Sequence, residues 1–312
     1  VASAIMSEED VRELNSTYFD RLESGGAMAK KAADAATDFV RTQVRENSIA
    51  ELLITFQDLS NALMDRTLED RAPQKIYEKE PENPIAIQVP LASTPENYYI
   101  TGNRFPLRFS RAMTARAQVD VQDLRTTVMD IRQVLSDNSL MDLMIIRDQK
   151  FFEAANTYMQ GPEVALGYTG GVPMWREIHG GIERETWVEA STTMARGRGR
   201  YTHEKVVINN ITVHELTKFD RGEMGGDWAE ETLQNGWTET QFYGKPLIVT
   251  IKTQFVPNNS IYMISAEKFL GKAGYLEQPT MHVRKEAFMV DFFCYMMDGI
   301  SLVGGVARVD FK

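Results

Sequence analysis

One cysteine, Cys294, stands in a chain of 312 residues, so no intrachain disulfide can staple the fold. It sits in the apolar run Asp291-Phe292-Phe293-Cys294-Tyr295-Met296-Met297 and reads as a small buried hydrophobe rather than a reactive thiol. Long apolar runs are missing too. Nowhere does the chain approach the ~20 consecutive apolar residues that a membrane helix needs, so no membrane role is expected. The opening Val1-Ala2-Ser3-Ala4-Ile5-Met6-Ser7-Glu8-Glu9-Asp10 has neither the basic nor the apolar region of a secretory signal, and synthesis in a reducing cytoplasm is expected. Basic charge is in the minority: 34 Lys and Arg against 44 Asp and Glu give a formal charge of -10. Such a chain repels phosphate at long range, which weighs against electrostatic attraction to DNA as its main business. No repeat of solenoid period is visible.

The motifs of common catalysts are also lacking. His203-Glu204 and His214-Glu215 invite a metalloprotease reading, but the second histidine should follow His214 by four positions, and Lys218 stands there. His179 and His282 are too isolated to share an ion. The chain has no Gly-x-Ser-x-Gly elbow and no Gly-rich loop ending in Lys-Ser/Thr. Glu183 and Glu185 read as a solvated strand face rather than a glycosidase pair, because closeness in sequence says nothing about a substrate between them. The sharpest basic cluster is Arg196-Gly197-Arg198-Gly199-Arg200, which lacks the third glycine of a dinucleotide fingerprint. Its guanidinium forks suit carboxylates of the same or an adjacent subunit, with weak contact to DNA as the lesser reading. No catalytic residue, metal ligand or cofactor is expected.

What is present is ample apolar material: 43% of residues are hydrophobic, enough for one large domain or two smaller ones and too much for a disordered chain. Ser7 to Leu22 carries an intermittent apolar face that Gly25-Gly26 breaks. Met28, Ala32, Ala35, Ala36, Phe39, Val40 and Val44 then recur at helical spacing, as do Leu52, Leu53, Phe56, Leu59 and Leu63 in a stretch running from Ser48 to about Leu68. Five prolines between Pro73 and Pro95 exclude a continuous helix there, while Ile85, Ile87, Val89 and Leu91 alternate with period two. Two extended arms result, the second running from Tyr98 through Phe105 and Phe109 to Val119. A polar hairpin of this length has little to hold it down in isolation, so it is expected to lie on a neighbouring chain.

Helical spacing returns at Leu124, Val128, Ile131 and Leu135, breaks at Ser136-Asp137-Asn138, and resumes from Ser139 to Met159 with Leu140, Leu143, Met144, Phe151, Ala155 and Tyr158 near one side. Glycines from 161 to 181 mark a loop region before the strand-like Thr186-Trp187-Val188-Glu189-Ala190. The last third alternates strand-like runs with turns: Val206-Val207-Ile208-Asn209, Leu247-Ile248-Val249-Thr250-Ile251, Ile261-Tyr262-Met263-Ile264-Ser265 before Gly271, and Phe288 to Phe293, closing at Ile300-Ser301-Leu302-Val303. Phe288 to Met297 reads as core.

This order of elements, most specifically from Lys205 to Phe311, resembles the major capsid proteins of tailed bacteriophages, the Hong Kong 97-type capsid fold. The resemblance implies an α+β chain divided into an N-terminal arm with helices (1–73), an extended loop (74–119), a peripheral domain with a spine helix (120–200), an axial domain (201–279) and closing strands (280–312). It further implies a structural protein rather than an enzyme, which assembles with itself as pentamers and hexamers into an icosahedral shell. That shell encloses double-stranded DNA without sequence-specific binding, with portal and scaffolding proteins and a decoration protein as further partners. The chain would be made in a host bacterial cytoplasm and end in the virion. Ile85, Ile87, Val89, Leu91, Arg196, Arg198 and Arg200 are the candidate interface residues. Two other readings stand beside this one: an encapsulin-like compartment shell, and a soluble enzyme with an unrecognised site.

Overall fold

The computed structural model describes residues 48–65, 72–79, 103–126, 131–160, 174–196, 201–216, 241–242, 244–286 and 288–312. Two sheets share one long helix. The first sheet has six strands in the order β6-β13-β10-β7-β9-β8: β6 is Trp175–Ile178, β7 His203–Asn209, β8 Gln241–Phe242, β9 Lys245–Thr250, β10 Ser260–Ser265 and β13 Val306–Phe311. Every residue of β10 is buried. That is what a strand covered on both faces demands, and it explains why Ile261 to Ile264 reads as a continuous apolar run rather than an alternation.

The second sheet is built on a long hairpin of β11 (Gly271–Glu286) and β12 (Met289–Leu302). β1 (Phe56–Asp58) pairs with β11 in parallel. β4 (Ser110–Met113) and β5 (Ala117–Asp120) pair in succession along the other edge of β12. A third, two-stranded unit joins β2 (Gln74–Lys79) to β3 (Asn103–Arg108), with Gln74 opposite Arg108 and Lys79 opposite Asn103. The hairpin pairing therefore stops at Arg108, and residues from Ser110 to Asp120 are held in the second sheet. Ile85, Ile87, Val89 and Leu91 lie outside the described residues.

Among the described residues six short α-helices accompany the long one: α1 (Ile49–Leu53), α2 (Val121–Thr126), α4 (Arg184–Ser191), α5 (Thr193–Arg196), α6 (Val213–Leu216) and α7 (Glu267–Leu270), while α3 (Ile131–Gln160) is a single helix of 30 residues, about 45 Å long. Its two halves pack on different sheets. Leu140, Leu143 and Met144 join Val290, Phe292, Cys294 and Met296 of β12, whereas Phe151, Phe152, Ala155 and Met159 join the core of the six-stranded sheet. Phe152 stacks with Phe255 at 5.9 Å and meets Tyr262 edge-on at 5.0 Å.

Four expectations are corrected. Helix α3 does not break at Ser136-Asp137-Asn138: three modest helix formers cost at most about 0.7 kcal/mol each, less than the burial that Leu140 and the half-buried Leu135 gain on the sheet. The stretch from Ser48 is helical only to Leu53, because Phe56–Asp58 finds a strand partner in Ala273 to Tyr275. Thr186 to Ala190 is helical, not extended: Trp187, Ala190 and Met194 are buried at spacings of three and four, and the Glu183 N–H donates to Thr186 Oγ1 at 2.8 Å as a cap. Glu183 and Glu185 accordingly sit at a helix start rather than on a strand face.

Candidate assembly surfaces

Arg147 and Asp148, adjacent on α3, are both fully buried. The apolar spacing of α3 explains their position. Leu140, Leu143, Met144, Phe151, Phe152 and Ala155 are buried at intervals that leave 147 and 148 as the missing turn of the same face. Charges standing in an apolar stripe were the overlooked signal in the sequence. Arg147 Nη1 donates to Glu51 Oε1 at 2.7 Å, Nη2 reaches Met296 Sδ at 3.4 Å, and the guanidinium lies over the rings of Phe56 and Tyr275 at 5.2 and 4.9 Å. Its Nε stands 3.8 Å from Asp298 Oδ2, and Lys150 donates to Asp298 Oδ1. Asp148 accepts from the Ser48 hydroxyl at 3.0 Å, from the Ala50 N–H at 2.9 Å and from Lys252 Nζ. Burial pushes the Tyr275 phenol up, against the pull of the Arg147 charge, so Tyr275 stays neutral and donates to Glu51.

Three cations thus face three carboxylates. Charges this deep persist only when paired, and the pairing ties residues 48–58 to α3 and to both sheets. Thr55 adds hydrogen bonds to Glu267, and Lys205 Nζ donates to the Leu52 carbonyl. The cluster orients no reactive group. Its work is to fix where the N-terminal part of the chain joins the body.

The chemical candidates of the sequence are scattered. His203 lies on β7, where burial and the Lys245 charge lower its pKa against a hydrogen bond that the imidazole donates to the Ser191 backbone; His214 lies on α6. Among the described residues no group of three His, Cys, Asp or Glu could hold a metal ion. Cys294 is buried and its thiol is pushed up to about 11, opposed only by a hydrogen bond with Ser139, which makes it a poor nucleophile. Arg196 is exposed at the end of α5, while Arg198 and Arg200 lie outside the described residues.

Outward apolar residues include a pair at a hairpin turn. Phe288 is 79% exposed beside the half-exposed Met289, at the turn where Glu286 and Met289 close the β11–β12 hairpin. The sequence reading of Phe288 as core is corrected here: only Val290, Phe292, Cys294 and Met296 alternate inward. The β2–β3 base carries Tyr77 stacked on Phe105 at 5.8 Å, with Ile76 exposed. An exposed Arg104–Glu78 pair at 3.3 Å flanks it.

No family model matches the chain, and no curated protein matches it. Solved structures do. A structure of Microbacterium phage Oxtober96 superposes with a TM-score of 0.59 at 11% identity, covering 85% of this chain and 91% of that one. The capsid structure of cyanophage P-SCSP1u gives 0.58 at 10% identity over 85% and 88%. The mature capsid of bacteriophage PhiM1 gives 0.56 at 8% identity over 85% and 87%. The chain has the Hong Kong 97-type capsid fold. Identities this low establish the architecture alone, and they bear out the α+β capsid resemblance read from the order of elements.

Proposed function

We infer that the chain is a major capsid protein, self-assembling as pentamers and hexamers into the icosahedral head that encloses the double-stranded DNA of a tailed phage. The observation that carries this reading is the agreement in fold over most of both chains with phage capsid structures. In such a shell, small contact energies are multiplied over symmetric copies. The α3 helix corresponds to the spine of a peripheral domain, the six-stranded sheet to an axial domain, and residues 80–102 to the outer part of an extended loop resting on a neighbour. Portal, scaffolding and decoration proteins are the partners this reading implies, and the virion is the destination. The acidic balance of the chain suits a wall that does not grip packaged phosphate.

Negative-stain microscopy of the purified protein tests the reading. Closed icosahedral particles are expected, filled with DNA when recovered from infected cells. Particles filled with a cargo enzyme would instead mark a compartment shell, and a stable monomer under every assembly condition would overturn the shell reading. Arg196, Arg198 and Arg200 are assigned to subunit contacts. Changing all three to Gln is expected to weaken empty and full shells alike, read as a lower disruption temperature in both. A loss confined to full particles would place them on the genome.

A further inference from the structure

The β2–β3 pair leaves the body through two attachments, one at the root of each strand. At the root of β3, Leu107 and Phe109 are fully buried, and the Arg108 carbonyl lies so close to Gly299 of β12 that a Cβ added to that glycine would stand 2.6 Å from it. The Phe109 N–H donates to the Pro73 carbonyl at 2.9 Å and closes the root across both strands. One attachment of this kind is a pivot: it fixes where the pair starts and leaves its direction open.

The second attachment supplies the direction. The Leu59 N–H donates to the Tyr275 carbonyl of β11 at 2.8 Å, and the chain then turns through the short 3-10 helix Asn61–Leu63 to reach the outer side of β2. There Asp65 alone stands in for a third strand: its N–H donates to the Gln74 carbonyl at 2.8 Å, and its Oδ2 accepts from the Ile76 N–H at 3.0 Å. Lys75 Nζ adds a bond to the Leu63 carbonyl at 2.9 Å. Ile76 stands opposite Pro106 in the register. Opposed residues of an antiparallel pair turn their N–H positions both towards the partner strand or both away from it, so the N–H that Pro106 lacks belongs to the outer edge of β3. Both edges of the pair are thus closed to strand addition at the same level. On the β2 side the closing group is a carboxylate on a segment that is itself bonded to β11.

We propose that Asp65 is a positioning residue, a brace that holds the β2–β3 pair at a fixed angle to the body before subunits meet. Its consequence for assembly rests on the shell reading: a pair already pointed at its neighbour loses less freedom on docking than one that swings. The brace itself does not need that reading, so the two are tested apart. Spin labels on Arg104→Cys and Lys272→Cys, both exposed positions, report the angle in unassembled full-length subunits, with the buried Cys294 out of reach of the label. Asp65→Ala is expected to widen the distance distribution at least about twofold and to speed exchange of the Ile76 amide about tenfold, at an unchanged thermal midpoint. Asp65→Asn keeps an acceptor oxygen and is expected to stay at the parent values. A distribution as narrow in Asp65→Ala as in the parent overturns the brace, and equal widening in Asp65→Asn overturns the hydrogen bond as its cause. Shell formation by Asp65→Ala is expected to start about tenfold more slowly where the parent assembles. Parent-like kinetics despite a widened distribution overturn the role in assembly alone, whereas a parent that forms no shells overturns the shell reading and leaves the brace standing.

Discussion

Arg147 shows how one buried charge organises its surroundings. Its guanidinium serves Glu51 from the N-terminal segment and is stacked between rings from β1 and β11, with Asp298 of β12 opposite. Replacing a buried ion cluster wholesale with apolar groups is often neutral, whereas removing one member strands the others. Arg147→Met is expected to destabilise by about 3–5 kcal/mol, and adding Glu51→Gln to recover part of that loss. Denaturant midpoints of the two variants check this, and a single variant as stable as the parent would show that the cluster does not hold residues 48–58. Asp291 of β12 makes a second test through pH. The hydrogen bond from Arg116 holds its carboxyl below the usual carboxylate range. A depressed folded-state pKa means that the native protein binds this proton less readily than the unfolded chain. Its stabilising contribution is therefore complete well above about pH 4 and is lost as pH falls below that value through the depressed folded-state pKa. Asp291→Asn is expected to lower the thermal midpoint at pH 7 and to flatten its decline between pH 5 and 3; curves that stay parallel would remove Asp291 from the acid response.

Elements were legible where burial imposes a simple period. Leu140, Leu143, Phe151 and Ala155 are all buried on α3 as their spacing required, and β10 follows from a run that two-sided burial makes apolar throughout. Elements whose nature is decided by distant partners were not. Phe56–Asp58 is a strand only because β11 lies beside it, and Trp187 is helical because its helix buries it against other elements rather than in a sheet. The anchoring cluster was hidden for a related reason. Charged residues on an apolar face look like interruptions until their partners, about a hundred positions away in sequence, are brought to them. Gly271 marks another such junction, where α7 turns into β11 at φ 146° and an added Cβ would lie 2.1 Å from the Ser301 carbonyl. Neither the backbone conformation nor the neighbouring strand can yield cheaply. Gly271→Ala is expected to cost at least about 1–3 kcal/mol, visible as a lower thermal midpoint, and an unchanged midpoint would mean that the two strands part there at little cost.

At the scale of the whole molecule, the question is which parts serve the subunit and which serve the assembly. The two sheets and α3 share buried clusters and form a self-sufficient body. The β2–β3 pair differs: among the described residues its pairing consists of two strands alone, with Lys79 and Asn103 as the last described register partners. A two-stranded hairpin is marginal in water, so this pair adds little to the body's own stability. The register also provides a clean cut. Lys79 and Asn103 face each other directly, and a two-residue Asn-Gly turn is the natural connection between such partners. Replacing residues 80–102 with Asn-Gly is therefore expected to leave a soluble subunit whose thermal midpoint is nearly that of the parent, while closed shells disappear from micrographs under conditions where the parent forms them. The two readouts separate the causes of failure. A fall in the subunit's midpoint would show that the segment stabilises its own chain, and normal particles from the shortened protein would show that assembly does not depend on an extended loop reaching across to a neighbour.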